Sequence, residues 1–104
     1  MTDVVVVATI RLLPEHRAEV IAAMEKVIAD VHAHDDGCLL YALHEGDDRL
    51  VMVEKWSSAE ALAKHSRGPA LAELNQALSG RLDGDLDVQI LQPHPAGTPG
   101  QGTL

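Results

Sequence analysis

Between Asp3 and Leu12 the chain runs Val4-Val5-Val6-Val7-Ala8-Thr9-Ile10, β-branched and apolar at nearly every position. A strand formed here has two apolar faces and none for water. A second run, Leu50-Val51-Met52-Val53, repeats the pattern. A chain of 104 residues holds one domain and one core, burying roughly 60 to 70 per cent of its unfolded surface, and its own helices can cover only one side of a sheet. The other apolar side requires a second sheet. An identical chain related by a two-fold axis is the simplest supplier, and a different partner chain would meet the same requirement.

The remaining elements follow from periodicity. Pro14 opens a helix, since its missing N–H costs nothing at the first helical position. Val20, Met24, Val27 and Val31, with Ile21 and Ile28 beside them, recur at helical spacing up to a stop before Gly37, with Glu19, Glu25, Lys26 and Asp30 on the other side. Cys38–Glu45 and Arg49–Trp56 are extended runs joined by Gly46-Asp47-Asp48, which reads as a hairpin. Ser57 or Ser58 caps the next helix, and Ser57-Ser58-Ala59-Glu60 has the spacing of a capping box. Gly68-Pro69 breaks that helix and starts another, with Leu71, Leu74 and Leu78 on one stripe and Gly80 after it. Leu86 to Gln92 forms the last strand.

This order predicts an α+β chain of the ferredoxin-like split βαβ type, a four-stranded antiparallel sheet with helices on one face. Residues 1–92 form the domain. The tail 93–104 carries Pro, Gly and polar residues with little to bury and is expected to be flexible.

A hydrophobic fraction of 46%, 23% charged residues and a net charge of −8 describe an acidic globular protein, and the eight Lys and Arg are scattered too singly to grip a phosphate backbone. Nucleic acid is therefore not an expected partner. The single cysteine, Cys38, forms no internal disulfide and suits a reducing compartment, so the cytoplasm is the expected location. No apolar run approaches the ~20 residues that span a bilayer, and Met-Thr-Asp is not the start of a secretory signal; a soluble, unexported protein with no membrane partner is expected.

Tyr41 and Trp56 are the chain's aromatic residues, and both lie in the hairpin. His65 shares a helical stripe with Ala61 and Leu62 that should face the sheet, leaving a cavity lined by aliphatic side chains and a few polar groups. An even-length hairpin loop puts Tyr41 on the face of Glu54 and Trp56, and an odd-length loop substitutes His44; the even form is preferred. Each residue has a plainer reading. His65 fits a core histidine bonded to a backbone carbonyl, Trp56 a packing residue, Tyr41 a rim residue, Glu54 an acid paired with Arg11 or Lys55, and Cys38 a small buried hydrophobe. His32-Ala33-His34-Asp35-Asp36 contains metal-ligand types, but residues two apart on a helix point about 200° from each other, which argues against a metal site.

Gly37-Cys38-Leu39-Leu40-Tyr41, Glu54-Lys55-Trp56-Ser57-Ser58 and Ala61-Leu62-Ala63-Lys64-His65 together resemble the signature of the antibiotic biosynthesis monooxygenase (ABM) family, and with the element order the likeness spans most of residues 3 to 92. The resemblance implies a dimeric α/β barrel and oxygenation of a small aromatic quinol or phenol by O2 without metal, flavin or other cofactor. On that reading His65 is the catalytic base, and Trp56, Tyr41, Glu54, Leu62, Leu74, Asn75 and His44 are the candidate substrate-binding residues. Haem-degrading relatives carry an Asn on the first strand, a Trp on the second helix and a ligand His beyond it. Here the first strand has no Asn, His65 stands near the Trp position and Asn75 near the ligand position, so haem is not expected. The competing reading is a noncatalytic dimeric module that binds a small apolar ligand or is purely structural.

Overall fold

Side chains that alternate between water and core along the hairpin, and apolar ones at helical spacing before it, fold into one sheet with helices laid across a single face. The computed structural model describes residues 2–104. Strand β1 spans Val4–Arg11, a 3-10 turn covers Pro14–His16, helix α1 runs Arg17–His34, and β2 and β3 are Cys38–Glu45 and Arg49–Trp56. Helices α2 and α3, Ala59–Ser66 and Pro69–Leu78, precede β4, Asp87–Leu91. The sheet order is β2-β3-β1-β4 with every neighbouring pair antiparallel. This is the ferredoxin-like α+β fold.

Register decides what faces the helices. Val4, Val6, Ala8 and Ile10 of β1 stand opposite Trp56, Glu54, Met52 and Leu50 of β3. On β2, Tyr41 pairs with Glu54 and Leu43 with Met52. These even positions of β1 and β3 pack against Val20, Met24, Val27 and Val31 of α1 and Leu74 and Leu78 of α3, all buried. The opposite positions, Val5, Val7, Val51 and Val53, form the outer sheet face and are half-buried. Both apolar faces read from the sequence are therefore present.

Two local expectations are corrected. Pro14 starts a 3-10 turn rather than the α-helix itself, which begins at Arg17. Ser58 is the N-cap of α2, its hydroxyl accepting the Ala61 N–H at 3.0 Å, so Ala61 holds the position where a capping box needs Glu60. The pairing of β2 slips between Cys38 and Leu40, leaving Leu39 exposed. The segment after β4 has no helix or strand; it turns at Thr98–Gly102 and returns to the outer face, where the Lys55 Nζ donates to the Leu104 carbonyl at 2.5 Å. Among the described residues no helix is long and apolar enough to cross a membrane.

Candidate active site

Between the helices and the sheet lies a cavity of about 210 Å³. Its walls are aliphatic: Val6, Ala8 and Ile10 from β1, Met24 from α1, Met52 from β3, Leu62 from α2, Leu71, Leu74 and Leu78 from α3, and Leu86 and Val88 at the β4 end. Into this apolar lining come the polar side chains of Tyr41, Glu54, His65, Ser66 and Asn75. Tyr41, Glu54, Leu62, His65, Leu74 and Asn75, all read from the sequence as pocket residues, are thus brought together.

Two residues expected with them are placed elsewhere. His44 pairs with Val51, which puts it on the outer face, and its side chain is exposed. The even-length reading of the hairpin is the one realised, so Tyr41 and not His44 shares the face of Trp56. Trp56 has no exposed surface and does not line the cavity. It lies behind the wall, with its ring 4.5 Å from that of His65 and tilted by 31°. Its Nε1–H donates to Glu54 Oε1 at 3.0 Å. That bond, rather than an ion pair with Arg11 or Lys55, is the partner of the buried Glu54 carboxyl. Lys55 points to the outer face and lies 3.5 Å from Asp3.

The rings form a cluster. Tyr41 meets Trp56 edge-on at 6.2 Å and His65 edge-on at 5.4 Å between centroids. Edge-to-face contacts of this kind contribute about 0.5–1.5 kcal/mol each beyond burial and hold the rings in place. Burial, helped by the nearby Glu54 and Asp35 charges, pushes the Tyr41 phenol well above its ordinary value, so the hydroxyl stays a donor at neutral pH. Burial also raises the Glu54 carboxyl, opposed by the Trp56 N–H and His65. The Cys38 thiol is raised for the same reason of burial and remains a thiol.

His65 is buried at the end of α2, and its Nδ1 lies 2.6 Å from Oδ2 of Asp35. An ionised carboxylate only accepts, so Nδ1–H donates to it, and in the neutral imidazole the lone pair then lies on Nε2. The plain reading of His65 as a core histidine bonded to a backbone carbonyl is therefore replaced by a side-chain pair. Asp35 was not among the residues singled out for the pocket. The signal available for it was the placement of a carboxylate at the last turn of α1, against the sign that helix end favours. His32, two residues from His34, donates instead to the Tyr41 carbonyl at 3.1 Å. Among the described residues no three His, Cys, Asp or Glu side chains converge as a metal-ligand set.

Residues 3–77 match the antibiotic biosynthesis monooxygenase family. The chain belongs to this family. No curated protein matches the sequence. Among solved structures, a candidate antibiotic biosynthesis monooxygenase from Caulobacter crescentus is similar, with a TM-score of 0.83 and 25% identity over 86% of this chain and 88% of that one. A Mycobacterium tuberculosis protein has a TM-score of 0.85 at 26% identity, covering 93% of this chain and all of its own, 100%. A conserved protein of Methanosarcina mazei has a TM-score of 0.80 at 26% identity, covering 88% and 92%. The family match takes in Tyr41, Glu54, Trp56, His65, Leu74 and Asn75, and ends before the loop and strand that supply Leu86 and Val88. In this ABM family member the β4 end of the cavity is therefore the part least prescribed by the family.

Proposed function

We propose that the protein is a cofactor-independent monooxygenase that oxidises a small aromatic quinol or phenol with O2, working as a homodimer in the reducing cytoplasm. The observation that carries this reading is an imidazole, braced by a carboxylate, set into the wall of a mostly aliphatic cavity. An apolar cavity of about 150 Å³ holds benzene, so about 210 Å³ leaves room for one or two fused rings.

His65 is the base. It takes the proton of a substrate hydroxyl, and the electron-rich anion left behind passes an electron to O2 without a metal or flavin. On a quinol the balance is quinol + O2 → hydroxyquinone + H2O, one ring C–H becoming C–OH and the two hydroxyls becoming carbonyls; the substrate supplies all the electrons, and the imidazolium returns its proton to the oxygen that leaves as water. The Tyr41 hydroxyl and the Asn75 amide are donors for the anion. Leu62 and Leu74 hold the ring and keep water out, while Glu54 and Trp56 support the wall.

The test is O2 consumption by the purified protein with menadiol-like substrates and other quinols and phenols of one or two rings, set against the spontaneous rate. His65→Ala should lose the enzymatic gain by on the order of 10²-fold or more. No acceleration across the panel would favour the noncatalytic binding module.

A further inference from the structure

Asp35 stands where helix electrostatics alone would not put it. It is the C-cap residue of α1, its N–H bonded to the Val31 carbonyl, at the end of the helix where cations are favoured. Its side chain is nevertheless brought to 2.6 Å from Nδ1 of His65 on another helix. The ring it meets forms part of two spaces. One is the internal cavity of about 210 Å³. The other is a recess of about 170 Å³ to which Asp35, Asp36, Lys64 and Pro69 contribute. His65 borders both, and Asp35, its side chain 22% exposed, borders the recess and not the cavity.

We infer that Asp35 is the positioning residue of the catalytic base, an assignment that rests on the reading of His65 given above. Its carboxylate holds the proton on Nδ1, fixes the ring plane, and leaves the Nε2 lone pair for a substrate hydroxyl in the cavity. When Nε2 takes that proton, the hydroxyl oxygen becomes an anion and the ring an imidazolium. Asp35 stays ionised and stabilises the charge that has formed. Asp35 does not line the cavity, so it acts on the substrate through the imidazole it contacts.

The pair has a signature independent of turnover. Nitrogen-15 NMR of the histidine rings should find His65 with Nδ1 protonated and Nε2 bare in the wild type, and Asp35→Ala should abolish that tautomer. With a substrate that the wild type oxidises, Asp35→Ala should lower kcat by on the order of 10²-fold while KM stays within about twofold. Formate, small enough to enter the recess left by the missing carboxylate, should restore at least about a tenth of the lost rate. Asp35→Asn keeps the shape and removes the charge; it serves if the alanine variant does not fold, and should lose rate by about tenfold or more. A wild-type His65 protonated on Nε2, an unchanged kcat in a folded variant, or a loss that formate does not relieve would overturn the assignment. If the wild type oxidises nothing in the panel, the proposed function fails, and the NMR measurement alone then decides the His65–Asp35 pairing.

Discussion

At the scale of single residues, the buried Glu54 carboxyl reports on its surroundings through pH. Burial raises it above its ordinary 4.5, the more so because its partner is a neutral indole N–H and not a cation. A carboxyl whose folded value lies above its unfolded one holds its proton more tightly in the native state. The native state is then favoured below about pH 4.5 and loses that advantage as pH rises through the raised folded value. Glu54→Gln keeps an acceptor for the Trp56 N–H and cannot ionise. Its thermal midpoint should therefore exceed that of the wild type by little near pH 4.5 and by a margin that grows as pH rises through the raised folded value and then levels off. Other carboxylates cancel in the comparison. A margin that stays flat or shrinks with rising pH would mean that Glu54 does not carry a buried charge.

At the scale of elements, the geometry of His65 and Asp35 depends on how α2 is seated, and two contacts seat it. The Ser58 hydroxyl caps its first turn, and the Gly37 carbonyl accepts the Ser57 N–H at 2.8 Å. Gly37 has φ +83°, and a Cβ there would come within 2.7 Å of both Ala61 Cβ and Ser57 Oγ. Ser58→Ala should cost about 1 kcal/mol in urea unfolding. Gly37→Ala should cost more than Gly80→Ala, where φ is +78° but nothing lies within 4 Å; the Gly80 change carries only the backbone strain of roughly 1–3 kcal/mol. Equal costs at the two glycines would remove Gly37 from the seating of α2. Much of this level was legible in advance. The bounds of β2 and β3 came out as read because alternation and a Gly-Asp-Asp turn leave one register that buries Tyr41, Met52 and Glu54 together. Period-two and period-3.6 patterns place a residue on a face but not at a depth, which is why Trp56 was expected in the cavity and is found behind it. They also carry no information on a side-chain bond between residues far apart in the chain, so periodicity did not show the partner of His65, and its place at the wrong helix end was the one hint. Adjacent serines offer two N-caps of equal local quality, and only the packing of α2 against the turn at Gly37 selects Ser58.

At the scale of the whole molecule, one copy of the chain has more surface than its mass accounts for. At 11.1 kDa a folded monomer exposes about 5,700 Å². The chain exposes 6493 Å², about 800 Å² more, which is what each partner contributes to an interface of standard size. Its radius of gyration, 14.1 Å, likewise exceeds the ~13 Å of a compact domain of this length. Part of the excess is apolar and lies on the outer face: Leu91 of β4, paired with Val5, is 44% exposed, and Val5, Val7, Val51 and Val53 are only half-buried. The returning C-terminal segment reaches Val5, Lys55 and Leu91 at one end of that face, and Val7, Val51 and Val53 do not border the pocket it forms there. Two outer faces packed about a two-fold axis would shield these valines, and light scattering at micromolar concentration should give twice the chain mass. Val7→Asp and Val53→Lys place unlike charges on neighbouring strands, since the two residues pair directly across β1 and β3. Each alone should split the dimer by leaving a charge buried at the interface without a partner, at a cost of several kcal/mol. The double variant supplies the missing partner within one chain, so it should stay folded and regain part of the assembly, which separates loss of assembly from loss of fold. If the wild type has the mass of one chain, or if both charged variants keep the mass of two, the outer sheet face is not what the copies share.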